Sequence, residues 1–241
     1  MSFSSTPFLL IAVLGWTAWT VESMYRAGET GSGPRRALWV LLAAWLLLGV
    51  LAAVLGLSGV STSPQFLAAW PLYWYPFLPP VVAVTGMLLL PRLARGLYDL
   101  VDHRGSSFLI QVHLLRLLAL GGIAKAIQGG FTLPFAIVVG GADLLFALSA
   151  VVVWRLAARG PLSRGLLLWW NLAGALVILA PILLLGHWFM QDPQFATLFA
   201  FPMLLAPGVI VPLLVSYNLL VVWRLLTRRR VTERGQVTEQ K

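Results

Sequence analysis

Apolar residues in this chain come in unbroken runs, without the alternation of a half-buried strand or the single stripe of a surface helix. Seven runs approach the roughly 20 residues a helix needs to cross a bilayer: about 7–25, 37–57, 67–91, 107–128, 132–155, 165–187 and 197–225. Turn formers and charges separate them, such as GETGSGPRR after the first and QGGFTLP between the fourth and fifth. In lipid a segment must satisfy its own backbone hydrogen bonds, so continuous apolar runs predict helices. The pattern predicts an all-α polytopic membrane protein, with a seven-helix domain over residues 1–227 and a basic polar tail at 228–241. That tail, RRRVTERGQVTEQK, has no apolar face and reads as an irregular end. No basic residue precedes the first run, so it reads as a retained helix and not as a cleaved signal.

Composition removes the soluble alternative: 59% of the 241 residues are hydrophobic and 10% charged, against about 25% charged in soluble domains. A net charge of +9 would suggest nucleic acid in a soluble protein. Here all basic residues but Arg116 and Lys125 lie in the first, third and fifth loops or at the C-terminal end. An excess of Lys and Arg marks the cytoplasmic face. The N-terminus is therefore expected outside and the C-terminus in the cytoplasm. Membrane lipid is the expected partner and nucleic acid is not; a second copy or another protein is a further candidate. The Arg-rich, Lys-poor, Ala/Leu/Gly-rich composition points to a bacterial inner membrane.

The two remaining cations both sit in the fourth run, SFLIQVHLLRLLALGGIAKAIQGG. A cation at the bilayer centre costs roughly 2.5–3.5 kcal/mol even on the lenient insertion scale. Arg116, about nine residues into the run, lies near mid-membrane at about 1.5 Å per residue and needs a partner. Asp143 alone among the acids falls deep inside a run. Counted from a turn near residue 130, Arg116 is 14 residues back and Asp143 is 13 forward, so antiparallel helices bring them to one depth. His113 precedes Arg116 by three residues, on a similar helix face.

Arg116, Asp143 and His113 are therefore the candidate ligand-binding or ion-pair residues, with a purely structural clamp as the alternative. Lys125 lies near the outer end, where its stem can reach headgroups. Gln128, Asn171, Tyr217 and Asn218 are secondary candidates; asparagine in lipid usually bonds across helices. The cluster Trp70, Tyr73, Trp74, Tyr75 and Phe77 reads as an interfacial aromatic belt.

The chain has no cysteine, which excludes disulfides and thiolate sites. Walker, nucleophile-elbow and HExxH patterns are absent, so no metal site and no enzyme are expected, and the sequence leaves the question of a cofactor open. An acid/base pair of Asp143 and His113 is the remaining catalytic alternative. Pro71 and Pro76 recur 131 residues on as Pro202 and Pro207. Pro7 and Gly33 recur 127 residues on as Pro134 and Gly160. These offsets suggest two parallel three-helix units joined by the fourth helix, a plan used by transporters.

Arg116, then Gly130, Pro134, Phe135 and Ala136, then Gly140, Gly141 and Asp143 form a pattern that resembles a group of small bacterial multi-pass membrane proteins. Pro202, Pro207, Pro212 and the following SYNLLVVWRL are similar to that group's last helix, with Asn218 where the group often has histidine. The resemblance implies a seven-helix membrane protein and no particular activity. The chemistry favours binding or passage of a small solute, anions among the candidates, in a polar cavity around Arg116, Asp143 and His113. The alternative is a non-transporting sensor or scaffold subunit.

Overall fold

The computed structural model describes residues 6–104 and 106–239, and no strand occurs among them. Seven helices are long and apolar enough to cross a membrane: Thr6–Arg26, Ser32–Leu57, Pro71–Leu89, Phe108–Ile127, Leu133–Arg159, Arg164–Met190 and Ala206–Thr227. They are called first to seventh in chain order. Outward-facing leucines such as Leu47, Leu88 and Leu184 are two-thirds exposed or more. Apolar surface on this scale is untenable in water and natural in lipid.

Several boundaries differ from expectation. The second helix starts at Ser32, ahead of the expected residue 37, because Pro34 is tolerated in a first turn where its missing N–H is not needed. The seventh starts at Ala206, not residue 197. Residues Phe195–Phe199 form a separate 3₁₀ turn, and Pro202 and Pro207, lacking amide hydrogens, interrupt an α ladder there. At its other end this helix runs on through Glu239, beyond the point where the sequence predicts an irregular tail.

One element is missed by the apolar-run pattern. Pro91–His103 is a separate amphipathic helix. Leu93, Gly96, Leu97, Leu100 and Val101 form its buried face, at helical spacing, and it packs on the second, third and seventh helices. Its polar face joins a network that ties the Arg-bearing loops together. Arg224 donates through Nε and Nη2 to Asp102, and Thr30 donates to Asp99 at 2.8 Å. Arg104 reaches Ser23 at 2.6 Å and Glu29 at 3.3 Å. Arg35 grips Glu22 with two hydrogen bonds of 2.9 and 3.0 Å. Because the Arg224–Asp102 pair is partly solvated, Asp102→Asn is expected to cost about 1 kcal/mol, read as a lowered unfolding midpoint in nanodiscs. An unchanged midpoint would show that this end is held by the apolar face alone.

The opposite end is held differently. Thr132 donates to Asp192 at 2.6 Å, Ser61 donates to the Phe199 carbonyl at 2.6 Å, and Trp70 stacks on His187. The aromatic cluster is only partly a belt. Trp70 and Trp74 are exposed, but Tyr75 is core, packed on Phe199 and over Gly208. The proline pairs behind the expected repeat lie in unlike backbone. Pro71 opens a 3₁₀ turn, whereas Pro207 sits inside a π turn. The fold lends the repeat no support.

Candidate functional site

The fourth helix is not α-helical at its centre. Val112–Ala119 is a 3₁₀ segment of eight residues, well beyond the usual run of about 3–4. In a 3₁₀ helix residues i and i+3 eclipse, so His113 and Arg116 form one inward row, and both are nearly inaccessible. The fifth helix carries a π turn at Ala136–Gly140, just before Asp143. The extra residue rotates the downstream helix by about 100° relative to an unbroken one. A second π turn, Ala206–Ile210, opens the seventh helix.

These elements bring the two charged groups together. Arg116 Nη1 donates to Asp143 Oδ1 at 2.7 Å and to the Gly174 carbonyl of the sixth helix at 3.1 Å. The side chains are 1% and 10% exposed. Gly174 makes the approach feasible: a methyl group there would stand 2.3 Å from Phe146 Cζ and 2.6 Å from Asn218 Nδ2. The guanidinium carbon lies 4.9 Å from the Phe146 ring centre, a cation–π distance. Phe146 stacks on Trp170 at 4.6 Å, and Trp170 Nε1 donates to Ser149.

Arg116 keeps two donor nitrogens, Nε and Nη2, without an acceptor. Beside the pair lies a cavity of about 550 Å³, within the roughly 300–1,000 Å³ of small-molecule pockets. Arg116 and Asp143 line it together with Val139, Ile178, Ile182 and Ile210. The wall is overwhelmingly apolar, whereas the sequence predicts a polar cavity. The spans supply few polar atoms, and those of Asn171, Tyr217 and Asn218 are turned into helix contacts elsewhere.

The other candidates divide accordingly. His113 does not line the cavity; it packs edge-on against Phe146 and Trp170, with Nδ1 unpartnered. Lys125 does line it, and its stem passes so close to Gly130 that a methyl group there would stand 3.3 Å from Lys125 Cγ. Gln128 is exposed at the helix end. Asn171 donates to the Leu167 carbonyl of its own helix at 2.8 Å and does not bond across helices. Tyr217 does bond across, sharing a 2.9 Å hydrogen bond with Thr17 of the first helix. Asn218 is fully buried against the Gly174 backbone, with neither amide atom partnered.

Phe146 and Gly174 are not singled out by the sequence pattern, although the small residues Ala173, Gly174 and Ala175 in mid-span signal a close approach. Among the described residues no three His, Asp or Glu gather closely enough to hold a metal ion. Protein-family models, curated proteins and solved structures give no match to this chain. The chemistry of the site therefore rests on its own geometry: a buried guanidinium beside an apolar cavity, held by one carboxylate and one carbonyl, with two buried donors left unpartnered.

Proposed function

We propose that this protein resides in a bacterial inner membrane and binds a small solute inside the bilayer, with Arg116 as the recognising group. Asp143 holds the guanidinium in place when the cavity is empty. The observation that carries the reading is that Arg116 lines the cavity while two of its donors, both buried, have no acceptor, since buried polar groups are otherwise almost always satisfied. Irregular backbone supports it as well. Non-α segments at membrane depth persist where they are buried in protein or line a cavity, and residues of the 3₁₀ segment of the fourth helix and of both π turns line this one.

The test is organic extraction of protein purified in native-lipid nanodiscs. A near-stoichiometric small molecule should accompany the wild type and be absent from the Arg116→Met/Asp143→Leu double variant. If neither preparation carries one, the bundle is a scaffold and the pair a clamp, a reading favoured by the closure of Arg116 Nη1 on two acceptors.

The Arg-bearing end, with the C-terminus, faces the cytoplasm in this proposal. The chain has no cysteine, so single-cysteine reporters are clean. A membrane-impermeant maleimide on intact spheroplasts should label Gln128→Cys and spare Ala158→Cys. The reverse pattern would invert the protein.

A further inference from the structure

The charge balance and the walls of the cavity narrow what can occupy it. Arg116 and Asp143 already neutralise one another at 2.7 Å. A second anion brought to that end would leave an unbalanced charge in apolar surroundings, which is costly. An uncharged acceptor such as a carbonyl oxygen satisfies Nε and Nη2 without upsetting the balance. The rest of the wall, including Val139, Ile178, Ile182 and Ile210, matches a hydrocarbon body.

The cavity is thinly walled on the fourth helix. Gly121 and Gly122 line it with no side chain beyond Cα, and a methyl group at Gly122 would meet nothing within 4 Å. Their neighbours Leu118 and Leu120 line it too, yet are 42% and 54% exposed on the outside of the bundle. Backbone alone therefore divides cavity from lipid at this notch. Lys125 lies further along the cavity, three residues beyond Gly122, toward the end of the bundle.

Resting on the reading that this cavity is a binding site, we infer that its occupant is an uncharged lipophile, a quinone-type carbonyl head on a hydrocarbon tail. It reaches Arg116 sideways from the bilayer through the Gly121–Gly122 notch. The guanidinium turns to bring its buried Nε or Nη2 to the cavity, and the head accepts a hydrogen bond from it. The tail lies against the fifth and seventh helices and leaves through the notch.

Full-length protein in nanodiscs, titrated with a decyl-substituted benzoquinone, with ionised decanoate and with decylbenzene, tests this by native mass spectrometry. The benzoquinone should bind saturably, about tenfold more tightly than either other probe, and lose about tenfold in Arg116→Met/Asp143→Leu. Gly122→Trp should keep the wild-type unfolding midpoint while losing the benzoquinone; Gly122→Leu replaces it if the tryptophan variant does not fold. Tighter binding of decanoate would overturn the uncharged head while leaving the binding site in place. Decylbenzene binding as well as the benzoquinone would reduce the cavity to a slot for acyl chains and overturn the carbonyl head. Unchanged benzoquinone binding by the Gly122 variants would remove the lateral route. If no probe distinguishes the wild type from the double variant, the binding site itself fails.

Discussion

Asp143→Ala should destabilise the fold by about 3–5 kcal/mol, the cost typical of leaving one member of a buried charged pair alone. Arg116 is 1% exposed in its side chain and lies well inside a span, so it cannot snorkel to water. The Gly174 carbonyl, its other acceptor, offers a partial charge that cannot balance a full one. Steric-trap unfolding in nanodiscs would measure the loss directly. Removing both charges should behave differently. Arg116→Met/Asp143→Leu fills similar volume with apolar atoms, and such replacements are often neutral or stabilising by about 1–4 kcal/mol. Recovery of stability in the double variant together with loss of the co-purifying solute would assign the pair to binding. Wild-type stability in Asp143→Ala would show that Arg116 has found another partner, and with it the candidate site would dissolve.

Gly174→Ala should cost about 1–3 kcal/mol, the range for overpacking a filled interior. The added carbon would meet Phe146 Cζ at 2.3 Å and Asn218 Nδ2 at 2.6 Å. Phe146 cannot simply slide away, because Trp170 stacks on one face and His113 abuts its edge. The sixth helix must instead move outward, lengthening the 3.1 Å hydrogen bond from Arg116 to the Gly174 carbonyl. Two controls sharpen the test. Gly141→Ala meets nothing within 4 Å and should be neutral or gain up to about 1 kcal/mol from lower chain entropy in a helix. Phe146→Ala added to Gly174→Ala should give back part of the loss, which a double-mutant cycle reads as coupling between contacting residues. Equal midpoints for Gly174→Ala and Gly141→Ala would mean the close approach carries no energy.

The helical, seven-span architecture was legible because lipid leaves a chain few choices: long apolar runs must close their own hydrogen bonds. The equal depth of Arg116 and Asp143 was legible too, since a tight turn at Gly129 and Gly130 makes depth a matter of counting. The helix Pro91–His103 was not, because a search for unbroken apolar runs passes over a segment with one apolar face and one charged face. His113 shows the limit most plainly. Its spacing from Arg116 put both on one face, and the 3₁₀ backbone does align them. Yet the imidazole meets Phe146 and Trp170, while the guanidinium reaches the cavity.

By itself the chain determined its solvent, its number of crossings, the end at which its arginines gather and the need of one buried guanidinium for one carboxylate. Those features arise from local hydrophobicity and from the cost of charge in hydrocarbon, both sums over residues already in order. Only the tertiary structure decided that the chamber beside the pair is apolar, that Gly174 of a third helix supplies an acceptor and that the fourth helix is thinnest at Gly121 and Gly122. These depend on how helices distant in sequence rotate and approach one another, which side-chain shape settles at the contact and no periodicity records.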